Sequence, residues 1–123
     1  MNIEFDDKTP IYLQIMSFIK RDIVSKKLKG GDKLPSVREM STTLRVNPNT
    51  LQRAYQELER EKVTYTQRGM GTFVTEDEGV IANMKIDMAK TTIGEFFEGM
   101  KNLGFSSNEI MEVVSQYIKK EEA

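Results

Sequence analysis

The sequence predicts a mainly α-helical chain with one small β-hairpin, and three observations carry that prediction. Two short amphipathic segments, "LPSVREMSTTL" and "NPNTLQRAYQELE", stand two residues apart in a helix-turn-helix spacing. "KVTYTQRGMGTFV" follows directly, with a shorter hydrophobic period and two glycines suited to a tight reversal. The rest returns to a helical period but carries too many apolar residues for packing on one side. The combination is a winged helix-turn-helix over residues 1–75 and a C-terminal helical segment over 76–123.

The first helix comes from "TPIYLQIMSFIKRDIVSKKLKGG". Thr9 is placed to cap it and Pro10 to open it, because a first-turn residue has no use for its N–H. Ile11, Ile15, Phe18, Ile19 and Ile23 recur at helical spacing as core positions, and Gly30 and Gly31 end the element. In the second helix, Ser36 and Glu39 have the S-x-x-E spacing of a capping box, and Val37, Met40 and Leu44 face one way. After the turn "RV", Asn47 caps and Pro48 opens a third helix, from about Pro48 to Glu61, with Leu51, Ala54, Tyr55 and Leu58 as its buried stripe. The hairpin strands are Val63–Gln67 and Thr72–Thr75. Helix resumes at about Glu76 and stops at Gly104; Ser106 and Glu109 repeat the capping box before a last helix. These two tail helices have no core of their own. They must pack on the first domain, on a second chain, or on both.

Composition narrows the function. The 123 residues include neither Cys nor His, which removes thiolate nucleophiles, imidazole bases and the usual zinc ligands. The remaining carboxylates and lysines are spaced as solvated helix faces, so no enzyme, cofactor or metal centre is expected. No apolar run is long enough for a membrane span, and "MNIEFDDKTP" is acidic rather than signal-like, so a cytoplasmic location is the expectation. The net charge of −1 hides an asymmetry: residues 1–75 hold 13 Lys and Arg against 9 Asp and Glu, and residues 76–123 hold 5 against 10. A basic front and an acidic tail suggest two jobs.

The third helix opens with polar side chains off its apolar stripe: Asn47, Asn49, Thr50, Gln52 and Arg53. Amides pair bidentately with adenine and Arg with guanine in the major groove, while a helix N-terminus favours phosphate. The plainer readings are that Asn47 and Thr50 only cap the helix and that the other three form a solvated face. In the hairpin tip, Gln67 and Arg68 sit beside Gly69 and Gly71, which allow close approach to a phosphate strand or minor groove, or simply build the turn. Arg38, on the exposed side of the second helix, is a candidate phosphate clamp or one half of a weak surface ion pair.

"KLPSVREMSTTLRVNPNTLQRAYQELE" followed by "RGMGTFV", with "PIYLQI" ahead of them, resembles the DNA-binding domain of the GntR family of bacterial transcription regulators, from about Pro10 to Val74. The resemblance implies a winged helix-turn-helix that binds a palindromic operator in double-stranded DNA as a homodimer. By motif position it places Arg38 where the family has a DNA-contacting arginine, puts Asn47, Asn49, Thr50 and Gln52 on the recognition helix, and sets Gly69 and Gly71 in the wing tip. The short tail is similar to that of the YtrA-like subfamily, whose two helices serve dimerisation and whose members often repress transporter operons. Three residues depart from the pattern. Lys62 stands where Gly is common, which implies a left-handed residue or a different helix end; Arg45 occupies a turn position that often holds Gly; and Thr64 replaces a larger apolar residue, which implies a looser first wing strand.

The leading expectation is a repressor, with Met84, Met88, Phe96, Phe97 and Met100 in the dimer contact. A protein–protein adaptor on a winged-helix scaffold is the alternative. A small-molecule effector is not indicated; a Met- and Phe-rich dimer interface is where one would sit.

Overall fold

Among the described residues, five helices and one hairpin form: α1 (Ile11–Val24), α2 (Val37–Leu44), α3 (Pro48–Arg60), β1 (Thr64–Gln67), β2 (Gly71–Val74), α4 (Glu78–Asn102) and α5 (Ser107–Glu122). The structure is a computed structural model describing residues 3–123, so Met1 and Asn2 of the acidic opening stretch lie outside the described residues. The predicted fold class is the one observed. The chain divides into two compact units, one ending at Lys85 and the other spanning Ile86–Ala123.

In the first unit, Ile15, Ile19 and Ile23 of α1 meet Leu51, Ala54, Tyr55 and Leu58 of α3, with Met40 of α2 and Leu34, Val63 and Val74 completing the core. The α3 stripe is as the periodicity predicts. On α1, Met16 is buried as well, whereas Ile11 and Phe18 are only half-buried. Tyr55 seats its hydroxyl on the Pro35 carbonyl at 2.6 Å. Burial raises its pKa, with the Glu39 charge adding to the shift, so the group is a neutral core donor at any physiological pH. Lys20 and Glu61 pair at 2.6 Å between α1 and the end of α3, a partly exposed contact of small energetic weight.

Two expectations at α1 need correcting. Thr9 does not cap the helix; Pro10 occupies the cap position and its carbonyl accepts from Leu13 and Gln14. Gln14 organises the entry instead, donating to the Thr9 carbonyl at 2.6 Å and exchanging hydrogen bonds with the backbone of Asp6. The helix also stops at Val24, well before Gly30, because Ser25 caps it and Lys26 turns left-handed at φ 66°.

Both capping boxes form as predicted, Ser36 with Glu39 and Ser106 with Glu109. The backbone N–H of Ser36 and then its hydroxyl hold the Glu39 carboxylate below its ordinary 4.5, with Lys33 adding to the effect. The same two kinds of bond from Ser106 lower Glu109. A carboxylate lowered by folding stabilises the fold above its unfolded pKa and loses that contribution as pH falls through the folded value. Urea midpoints should therefore drop on acidification below 4.5, and E39Q should narrow its deficit against the parent chain over that same acid range.

The hairpin is antiparallel, with Thr64 opposite Val74, Tyr65 opposite Phe73 and Gln67 opposite Gly71. Tyr65 and Phe73 stack across it, ring centroids 5.7 Å apart. The loop before α2 adds a third pairing that the sequence does not announce: Leu34 N–H donates to Thr72, Val74 N–H to Asp32 and Gly31 N–H to Val74, and Lys33 bridges Phe73. Thr64 does not loosen its strand, since it pairs in register and is buried. The substitution shows instead in its Oγ1, which finds no hydrogen-bond partner among the described residues. Thr64→Val keeps the shape and removes that orphan hydroxyl, so chemical denaturation should show a gain of about 1 kcal/mol.

Asp77 starts α4 by accepting from the N–H groups of Gly79 and Val80, and Gly104 at φ 92° follows its end. In the second unit, Ile110 is the one buried apolar side chain among the described residues, while Ile93, Phe96, Phe97, Leu103, Tyr117 and Ile118 are exposed. No described helix is long and apolar enough to cross a membrane.

Candidate nucleic-acid interface

The turn between α2 and α3 is three residues, Arg45 to Asn47. Arg45 takes the left-handed conformation (φ 57°, ψ 45°), and Val46 N–H folds back onto the Ser41 carbonyl at 3.1 Å. Lys62, just past α3, is likewise left-handed at φ 65°. Both positions behave as their correspondence to glycines implies, and each carries a strain that glycine would avoid.

Asn47 is the N-cap of α3: its Oδ1 accepts from Asn49 N–H at 2.8 Å, and Pro48 follows as the first helical residue. The cap uses the amide oxygen and leaves the two amide N–H donors free, so capping and external contact are compatible. Thr50 is half-buried, and its side chain does not cap. Asn49, Gln52, Arg53 and Gln56 are all exposed and recur at i, i+3, i+4 and i+7, a polar stripe opposite Leu51, Ala54, Tyr55 and Leu58. Gln56 was readable from that same period and belongs with the other three. The Arg53 guanidinium lies over the Tyr12 ring, 3.9 Å from its centroid.

Arg38 is exposed on α2 and makes no ion pair among the described residues. Its backbone carbonyl accepts from the hydroxyls of Ser41 and Thr42, and its guanidinium makes no hydrogen bond among the described residues. At the wing tip, Met70 N–H closes a turn on the Gln67 carbonyl at 2.9 Å, with Gly69 left-handed at φ 77°. Gln67 and Arg68 are exposed there, and so is Met70 at 61%. Gly71 is required by its backbone, whose φ of 121° an L side chain rarely adopts, and the nearest atom to a Cβ there would be Cε of the flexible Lys33 side chain. Lys33 therefore lies along the wing through the third pairing, adding a cation that sequence reasoning missed. A single bridge of this kind has no periodic signature.

The structure thus sets the amides of α3, the cations Arg38, Arg53 and Lys33 and a glycine-built wing within one unit. Of the residues proposed for the tail contact, Met84 is 7% exposed and sits in the first unit, Met88 and Met100 are half-buried, and Phe96 and Phe97 are exposed.

Comparison with known proteins gives a consistent answer. Residues 11–74 match the model of the bacterial regulatory proteins of the gntR family. The HTH-type transcriptional regulator YhcF of Bacillus subtilis is 41% identical over 117 residues, covering 95% of this chain and 97% of that protein. The HTH-type transcriptional repressor YtrA of the same organism is 38% identical over 107 residues, 82% of each chain. Among solved structures, a GntR family transcriptional regulator from Listeria monocytogenes superposes with a TM-score of 0.81 at 45% identity, covering 91% of this chain and 98% of its own. With an exposed polar stripe on α3 and a wing, this chain belongs to the GntR family: a transcription regulator with a winged helix-turn-helix DNA-binding domain.

Proposed function

We propose that this regulator is a cytoplasmic repressor that binds a two-fold symmetric operator as a homodimer. The observation that carries the reading is the exposed stripe Asn49, Gln52, Arg53 and Gln56, opposite a fully apolar face of the same helix. Planar amides on the solvent side of α3 have the donor and acceptor geometry of major-groove base edges, and the Arg53 guanidinium beside them suits a backbone phosphate. Asn47 and Thr50 lie at the helix mouth. Arg38 and Lys33 contact phosphates, and the wing, with Gln67, Arg68, Gly69 and Gly71, reaches the neighbouring groove.

Residues 76–123 supply the dimer contact. Phe96, Phe97 and Leu103 are exposed apolar side chains on a helix with no core of its own, and such patches mark association surfaces. Met88 and Met100 flank them, whereas Met84 is already buried against its own chain and contributes none of the contact. The repressor sign is supported by the relative YtrA, which is named a transcriptional repressor. Two copies would present their α3 helices about one helical turn apart, ~34 Å.

Selection from a random duplex pool tests this. The expected result is a two-fold symmetric consensus bound by two chains; an asymmetric consensus, or no enrichment, would sink the dimeric operator. Arg38→Ala should weaken selected and random duplexes alike and reduce the salt slope by about one, read from binding isotherms at several salt concentrations.

A further inference from the structure

We propose that Tyr12 is a positioning residue for DNA binding: its ring holds the Arg53 guanidinium on the flank of the recognition helix as a pre-set phosphate clamp. The proposal rests on the DNA-binding reading above and adds to it a residue from α1, an element with no part in the helix-turn-helix or the wing.

The geometry makes the case. The Arg53 Cζ lies over the Tyr12 ring, 3.9 Å from its centroid, a close cation–π contact. A guanidinium carries its five N–H donors in its own plane. Arg53 makes no ion pair or side-chain hydrogen bond among the described residues, so no protein acceptor competes for them. The charge is intact, the donors are unspent, and the long side chain is confined to one place. A free arginine would lose rotamer freedom on meeting a phosphate, and here the ring has removed much of that freedom beforehand. The anchor is itself firm. Tyr12 is half-buried in the first turn of α1, next to core residues Ile15 and Met16, while Arg53 is exposed beside Gln52. The Tyr12 hydroxyl makes no hydrogen bond among the described residues, so the ring alone does the positioning.

A double-mutant cycle on the full chain tests it, using the selected duplex, a random duplex and a salt series. Arg53→Ala should weaken binding to both duplexes and lower the salt slope by about one, as loss of one phosphate contact does. Tyr12→Phe keeps the ring and should bind as the parent chain does. Tyr12→Leu should weaken binding about threefold while keeping the parental salt slope, because the charge remains and only its placement is lost. Adding Tyr12→Leu to Arg53→Ala should bring no further loss. Parental affinity for Tyr12→Leu, or a loss that persists in the Arg53→Ala background, would overturn the proposal while leaving the DNA-binding reading standing. Tighter binding by Tyr12→Leu would also overturn it, since the ring would then be withholding Arg53. Failure of the parent chain to bind any duplex would overturn both.

Discussion

Leu51→Ala is expected to lower the unfolding free energy by about 2–5 kcal/mol, the range for a fully enclosed leucine whose neighbours cannot collapse into the space. Leu51 has 0% exposure and lies between Asn49 and Gln52 in sequence, on the core side of α3. It lies on the face of α3 turned to the core, where Ile15 and Ile19 of α1 are equally sealed, so neighbours with little room to move surround any cavity. The effect reaches binding as well, because α3 presents its polar stripe only while its apolar stripe is seated. Urea denaturation checks the stability term. The same truncation at half-buried Leu44 should cost clearly less, and a loss below about 1 kcal/mol at Leu51 would mean the core re-packs around the gap.

Gln52→Ala and Asn49→Ala are expected to relax base preference by about 1–3 kcal/mol each at a single base pair of the half-site, with affinity for random DNA almost unchanged. Both side chains are exposed. The Asn49 N–H is held by Asn47, but its amide is free. Removing either leaves the helix, its cap and the surrounding cations in place. Competition binding with duplexes changed at one base pair at a time reads the preference directly. Equal losses on selected and random duplexes would show that these amides contribute general affinity and read no base.

How much of this was legible depends on the range of the interaction. The stripe of α3 and both capping boxes rest on residues three or four apart, and such spacings are visible in a sequence. At Lys62 the sequence left open a left-handed residue or a different helix end, and the backbone takes the first; at Arg45 it pointed only to a position where Gly is common, and that residue is left-handed as well. Thr9 misled because Thr-Pro has the chemistry of a cap, yet Gln14 reached back and secured the entry first. Met16 hid beside Ile15, since one period cannot show that α1 is covered on two flanks. The pairing of residues 31–34 with β2 and the seat of Arg53 on Tyr12 join distant segments through a single contact each. No local pattern encodes either one.

The clamp of residues 31–34 on β2 makes the wing a short cantilever. Its root is built into the wall at Thr72, whose carbonyl accepts from Leu34 N–H, and at Val74, whose N–H donates to the Asp32 carbonyl, so only Gln67 to Gly71 overhang. Seating such a beam in a groove stills five residues rather than a whole hairpin, and at about 1–2 kcal/mol of backbone entropy per residue the shorter overhang leaves more of each contact to appear as affinity.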